Sequence, residues 1–96
     1  MAKPFTWDEK KSAANRKKHG VTFEEAQTVF DDPVAAIFDD EEHSDIEPRE
    51  IIIGHSVNNR LLLVVFVELP EHIRLISART ATAKERRDYE QGTGYF

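Results

Sequence analysis

The 96-residue sequence contains no cysteine, which removes disulfides, thiolate metal sites and a cysteine nucleophile from consideration. It also lacks any apolar run near the roughly 20 residues needed to cross a bilayer. The opening Met1-Ala2-Lys3-Pro4-Phe5 has no apolar stretch of the secretory kind, so the chain reads as cytoplasmic, with no membrane partner. No internal repeat, low-complexity segment or linker interrupts it. A chain of this length forms one domain and buries only about 60–65% of the surface exposed when unfolded, so the core must be small.

Basic charge is in short supply as well: the net charge is −5, which argues at first against a nucleic-acid binder, because Lys and Arg supply most of the generic affinity for phosphate. The distribution along the chain weakens that objection. Residues 1–20 carry six Lys and Arg against two Asp and Glu, residues 21–50 carry one against eleven, and residues 51–96 carry six against five. An acidic middle between basic ends suggests two surfaces with different partners, although a solvated acidic face is the blander account.

What is present has clear punctuation. Phe5-Thr6-Trp7 is a short apolar opening; Asp8 caps a predicted helix over Glu9–His19, which Gly20 terminates. With only Ala13 and Ala14 as apolar content, this helix must show Lys10, Lys11, Arg16, Lys17 and Lys18 mostly to solvent or a partner. Thr22-Phe23-Glu24-Glu25 has the capping-box form and opens a second short helix, with Phe23, Ala26 and Phe30 on one buried face; Asp31-Asp32-Pro33 stops it. Val34–Phe38 reads as an edge strand, and Asp39–Asp45 as an exposed charged loop.

Strands at 50–57 and 60–68 flank Asn58-Asn59, a pair that tolerates the positive φ of a hairpin turn. Residues 61–67 are apolar on both parities, which predicts a central strand covered on each side. Another strand over 72–79 follows the Leu69-Pro70-Glu71 turn, and Thr82–Glu85 is a second capping box, starting a polar helix that runs to about Gln91 before a tail at 92–96. The order is two helices, a β-meander and a final helix.

Trp7-Asp8, Asn15, Lys18-His19-Gly20-Val21, Phe23, Phe30-Asp31-Asp32-Pro33, His43-Ser44, Arg49, Gly54, Ile73-Arg74, Ile76-Ser77-Ala78-Arg79, Glu85-Arg86-Arg87 and Tyr89 resemble the BrnT toxin family in order and spacing. The match spans roughly residues 5–91, so 1–96 is expected to be one BrnT-like domain. Individually the fragments are weak motifs. The resemblance implies an α+β fold similar to the RelE-type toxins, with a curved antiparallel sheet, two N-terminal helices and a C-terminal helix. It further implies a ribonuclease that halts translation and a BrnA-type antitoxin partner with a ribbon-helix-helix segment. That antitoxin binds operator DNA itself, and toxin and antitoxin in such families commonly form a heterotetramer around the antitoxin dimer.

The residues themselves can support metal-independent RNA cleavage, in which the substrate's own 2′-OH attacks the adjacent phosphate and the protein supplies a base, cations and an acid. Arg grips phosphate through two parallel charge-assisted bonds, and His moves protons near neutral pH. Arg74 and Arg79 lead the catalytic candidates because an Arg in an apolar strand must reach a surface or a partner; the bland alternative is a solvated strand face or a salt bridge to the acidic middle. Their odd separation would send them to opposite faces of an ideal strand unless a bulge intervenes or Arg79 lies beyond it. Arg49, before a strand, and His43, in the acidic loop, complete the catalytic set.

Lys18, His55 and Tyr89 are the candidate RNA contacts, with bland alternatives for each: a solvated lysine, a half-buried histidine alternating with Ile51, Ile53 and Val57, and a tyrosine packed on the sheet. Lys10, Lys11 and Lys17 are the candidate antitoxin contacts, where an acidic antitoxin segment could be steered to the basic helix. No metal or other cofactor is expected: His43 with Asp39, Glu41 and Asp45 has neither zinc spacing nor an EF-hand glycine. The competing function is a non-catalytic module that only binds the antitoxin or co-represses with it, or equally an inactive toxin homologue.

Overall fold

In the computed structural model, which describes residues 3–40 and 47–92, one sheet runs through the whole molecule with strand order β1-β5-β4-β3-β2. The strands are β1 (Phe5–Thr6), β2 (Ala36–Asp39), β3 (Arg49–His55), β4 (Leu61–Glu68) and β5 (Ile73–Thr80). Three helices accompany them: α1 (Glu9–His19), α2 (Phe23–Gln27), which tightens into a 3-10 turn at Thr28–Asp31, and α3 (Ala83–Glu90). The expected order of helices and meander is present. The sheet, however, is mixed rather than antiparallel, because Phe5 and Thr6 pair in parallel with Ile73 and Arg74. A two-residue strand carries no periodicity, so this pairing arises from tertiary contact alone.

Local signals set the helix ends. The Asp8 carboxylate accepts from the N–H groups of Lys10 and Lys11 at 2.8 and 3.2 Å. Gly20, at φ 69°, donates back to the Arg16 carbonyl, in the left-handed conformation that a residue with a side chain adopts only at a cost. At α3 the capping box is complete, with Thr82 Oγ1 accepting from Glu85 N and Glu85 Oε1 accepting from Thr82 N. At α2 it is half made. Thr22 caps Glu25 N, but the Glu25 carboxylate turns inward instead, where it accepts from Ser56 Oγ at 2.6 Å and from Arg60 Nε and Nη2. A guanidinium and a hydroxyl offer this carboxylate more than one backbone N–H would.

The hairpin turns where expected, with Asn59 at φ 59° and Ser56 N bonded to Arg60 O. β4 lies at the centre, and only Val65 and Glu68 of its eight residues are not buried. Its even-numbered apolar residues Leu62, Val64 and Phe66 join Ile52, Leu75 and Ala78 under Val21, Phe23, Ala26 and Val29. Phe30 links this layer to β1, with ring centroids 4.9 Å from Phe5 and 5.0 Å from Phe66. Gly54 is where the 3-10 turn meets the sheet. A Cβ there would stand 2.8 Å from Ala35 Cβ and 3.0 Å from Asp32 Oδ2, so any side chain would push β3 away from the turn.

One amide fastens α1 to the sheet. Asn15, the single buried residue of its helix, donates through Nδ2 to the carbonyls of Val21 and Ala78, both at 2.9 Å, and accepts from Ala78 N at 3.1 Å. Replacing it strands a buried N–H and two carbonyls together. Asn15→Ala should therefore lower stability by about 2–4 kcal/mol in urea unfolding. A loss under about 1 kcal/mol would mean that water satisfies Ala78 in its place.

Candidate active site

The face of the sheet opposite the Val21–Val29 layer is built from the odd-numbered residues of β4. Register places Arg49 and Arg74 on either side of Val67, and Arg79 beside Leu63. All three arginines therefore project from one face. The parity difficulty disappears because β5 contains a bulge: Val65 pairs with Ser77 and Phe66 with Leu75, leaving Ile76 as the extra residue between them. One inserted residue shifts everything after it to the other face, bringing Arg79 onto the side of Arg74. Four residues of β4 separate the two rows, which is about 13 Å.

Each guanidinium already holds a carboxylate. Arg74 Nη2 lies 2.7 and 2.6 Å from the two oxygens of Glu47, and Arg49 Nη2 is 3.7 Å from the same side chain. Arg79 makes a two-pronged contact with Glu85, Nη1 to Oε1 at 2.8 Å and Nη2 to Oε2 at 2.9 Å. The bond from Arg79, with help from Thr82 N–H, holds the Glu85 carboxyl down at about 2 against the burial that opposes it. Glu85 in turn raises the Arg79 pKa. Only the Arg79–Glu85 contact is a two-nitrogen fork, since Arg74 reaches both Glu47 oxygens through Nη2 alone; a carboxylate presents the same pair of oxygens as the edge of a phosphodiester.

His55 stands on the same face, paired with Leu61, one row beyond Arg79. Its imidazole Nδ1 is 3.5 Å from Asp32 Oδ2, and the same carboxylate oxygen accepts the His55 backbone N–H at 2.7 Å. The Tyr89 ring meets it edge-on at 5.8 Å, with the Tyr89 hydroxyl donating to Val34 O at 3.0 Å. The backbone bond from His55 lowers the Asp32 pKa, while desolvation and the Asp32 charge raise that of Tyr89. Beside His55 opens a cleft of about 330 Å³ lined by Thr28, Asp31, Asp32, Ser56 and Val57.

Thus Arg49, Arg74, Arg79, His55 and Tyr89 share one side of the sheet, Glu85 and Tyr89 being one helical turn apart on α3. Lys10, Lys11, Lys17 and Lys18 do not join them: they lie exposed on α1, which docks along the edge of β5 through Asn15. His43 lies outside the described residues. Sequence reasoning missed the three carboxylates that organise the site. Asp31-Asp32-Pro33 registered as a helix stop and Glu85 as a cap, both also as fragments of the family resemblance, and Glu47 was not singled out. Among the described residues no three His, Asp or Glu side chains gather closely enough to hold a metal ion.

Because their folded pKa values are depressed, Glu25 and Glu85 add stability that is present above the ordinary value of 4.5 and lost as pH falls toward about 2. A carbon-detected NMR titration should place Glu85 near the bottom of that window. In Arg79→Ala its midpoint should rise, with a shallower acid-stability slope; an unmoved midpoint would show that Thr82 alone holds the carboxylate.

The family described as the ribonuclease toxin BrnT of type II toxin–antitoxin systems matches residues 7–85. Among solved structures, the crystal structure of the Brucella abortus ribonuclease toxin BrnT superposes with a TM-score of 0.65 at 26% identity, covering 85% of this chain and 99% of that one. No curated protein matches. With most of its length matched by the family, and with a fold similar to that crystal structure, this chain belongs to the BrnT family of ribonuclease toxins of type II toxin–antitoxin systems.

Proposed function

We propose that the chain cleaves RNA without a metal, at the sheet face carrying Arg49, Arg74 and Arg79, and that translation stops as a result. The observation that carries this reading is the bulge at Ile76, which brings Arg79 to the side of the other two arginines. In the reaction the substrate's 2′-OH gives up its proton, its oxygen bonds to phosphorus, and the P–O5′ bond breaks. The products are a 2′,3′-cyclic phosphate and a 5′-OH, the latter taking up a proton. Arg74 and Arg79 grip the phosphate as charge builds on it, and Arg49 supports the same centre. His43, from the segment beyond Asp40, is the candidate for proton transfer, with His55, Tyr89 and Lys18 contacting RNA around the cut.

To enter, the phosphodiester displaces Glu47 and Glu85 from their arginines. Glu85 does not lose every partner, because Thr82 N–H remains 2.9 Å away. The same occupancy supports the competing reading, an inactive homologue that only binds its antitoxin, since both arginines are paired as they stand.

The partner in this reading is a BrnA-type ribbon-helix-helix antitoxin that meets Lys10, Lys11 and Lys17 on α1. Toxin and antitoxin assemble as a heterotetramer that contacts operator DNA only through the antitoxin, in the cytoplasm. A RelE-like placement of the site on the sheet fits the position of the arginines. No helix among the described residues is long and apolar enough to cross a membrane.

Arg79→Ala should express as folded protein and lose growth inhibition. RNA cleavage should drop by about 10²–10³-fold, the usual cost of one transition-state contact. Wild-type cleavage should persist in EDTA and leave cyclic-phosphate ends. Full toxicity in Arg79→Ala would remove that residue from the site, and a folded wild-type chain that cuts no RNA, with or without ribosomes, would favour the inactive homologue.

A further inference from the structure

The two edges of the sheet are treated differently. On the β5 side, β1 and Asn15 occupy the outer backbone groups. On the other side β2 has nothing beyond it among the described residues. Its ladder can be read group by group. Asp40 N donates to Arg49 O at 3.0 Å, and His55 N points away from β4 to reach the Asp32 carboxylate. Odd-numbered residues of β3 thus face β2, so Ala36 and Phe38, opposite Ile53 and Ile51, use their backbone groups inward. Ile37 and Asp39 therefore turn their N–H and C=O groups outward, away from β3.

This edge also carries exposed apolar surface. Among the described residues the exposed large hydrophobics are Val34, Ile37 and Val57, 69%, 55% and 75% accessible. Ile37 is on the strand itself, while Val34 lies two residues before Ala36, the partner of Ile53, and Val57 two residues after His55. Outward edge groups beside apolar side chains are the usual template for strand addition, and the common protections, a lysine or a proline on the strand, are absent from Ala36–Asp39.

Charge decides between occupants. Asp39 ends the strand, Asp40 follows it, and Glu50 sits opposite Asp39. Phosphate is repelled here, so RNA belongs on the arginine face instead. A second copy of the chain would set one acidic edge against another. A basic, extended polypeptide meets neither objection, and membership of a toxin–antitoxin family supplies one protein partner.

We propose that the outer edge of β2 is a docking site for an extended, positively charged segment of the antitoxin. That segment pairs with the outward backbone groups of Ile37 and Asp39 and lays apolar side chains against Val34, Ile37 and Val57. The proposal rests on the toxin–antitoxin reading and adds a second contact to the basic helix α1, on the far side of the sheet from it.

Ile37→Pro tests it directly, because it removes an outward donor while the Ala36 and Phe38 bonds to β3 stay intact. The probe is the purified protein encoded by the reading frame beside this gene. Ile37→Pro should remain folded by circular dichroism and bind that protein at least about tenfold more weakly. Hydrogen exchange on the wild-type chain, which needs no variant, should show the Ile37 and Asp39 amides slowed in the complex and fast in the free toxin. A complex that forms with unchanged affinity in Ile37→Pro, or leaves both amides fast, overturns the docking edge while leaving the family reading intact. Slowing of the same amides by a short RNA instead of the protein also overturns it. A wild-type chain that binds no such protein overturns the edge and the antitoxin reading together.

Discussion

The architecture hangs on a side-chain carboxamide that takes the place of a strand. β1 reaches only as far as Ile73 and Arg74, so past the bulge the outer backbone of β5 has no neighbouring strand. Asn15 stands in for one, giving Ala78 a donor and an acceptor in the geometry a paired residue would offer. Through its third bond, to Val21 O, it also fixes the end of α1 over the layer containing Val21 and Phe23. A buried amide with all these bonds made is worth keeping, because each group it satisfies would otherwise be stranded in apolar surroundings. Arg79 is the next residue along the chain, so the clamp that seals the core also sets the direction of the foremost candidate side chain.

Charge is sorted by surface in a way the net value of −5 conceals. The three arginines occupy one sheet face, the lysines of α1 a second region, and the aspartates around β2 a third. Much of the acidic charge is structural: Glu25 neutralises Arg60 beneath the hairpin, and Asp32 takes two backbone N–H groups as if it were a strand carbonyl. Asp39, Asp40 and Glu50 concentrate acidic charge at the end of β2. Cationic and anionic surfaces thus coexist on one small domain, each confined to its own side.

Features governed by neighbours in sequence were legible in advance: the Asp8 and Gly20 caps, the Asn59 turn, the Thr82–Glu85 box, and the position of β4 as the doubly covered strand. Those governed by distant partners were not. Phe5–Thr6 is too short to show a period, and nothing in Ile76 announces that it is the extra residue. Glu25 obeyed the capping-box pattern in letter but was drawn away by Arg60, which is 35 positions later. In the candidate site, the arginines could be picked out because cations in apolar strands demand an explanation. Glu47, Glu85 and Asp32 could not, since acidic residues in turns and caps are ordinary, and only the fold reveals what they face.

Glu85 serves two masters, closing the first turn of α3 through Thr82 and filling the fork of Arg79. No residue of α3 is buried, and these polar bonds and the Tyr89 contacts are among those that tie the helix down. Taking Arg79 away from Glu85 leaves the Thr82–Glu85 box to hold the start of that helix alone. The pair that orients Arg79 and the box that starts α3 thus meet on a single carboxylate, so a change at Glu85 reaches strand and helix together.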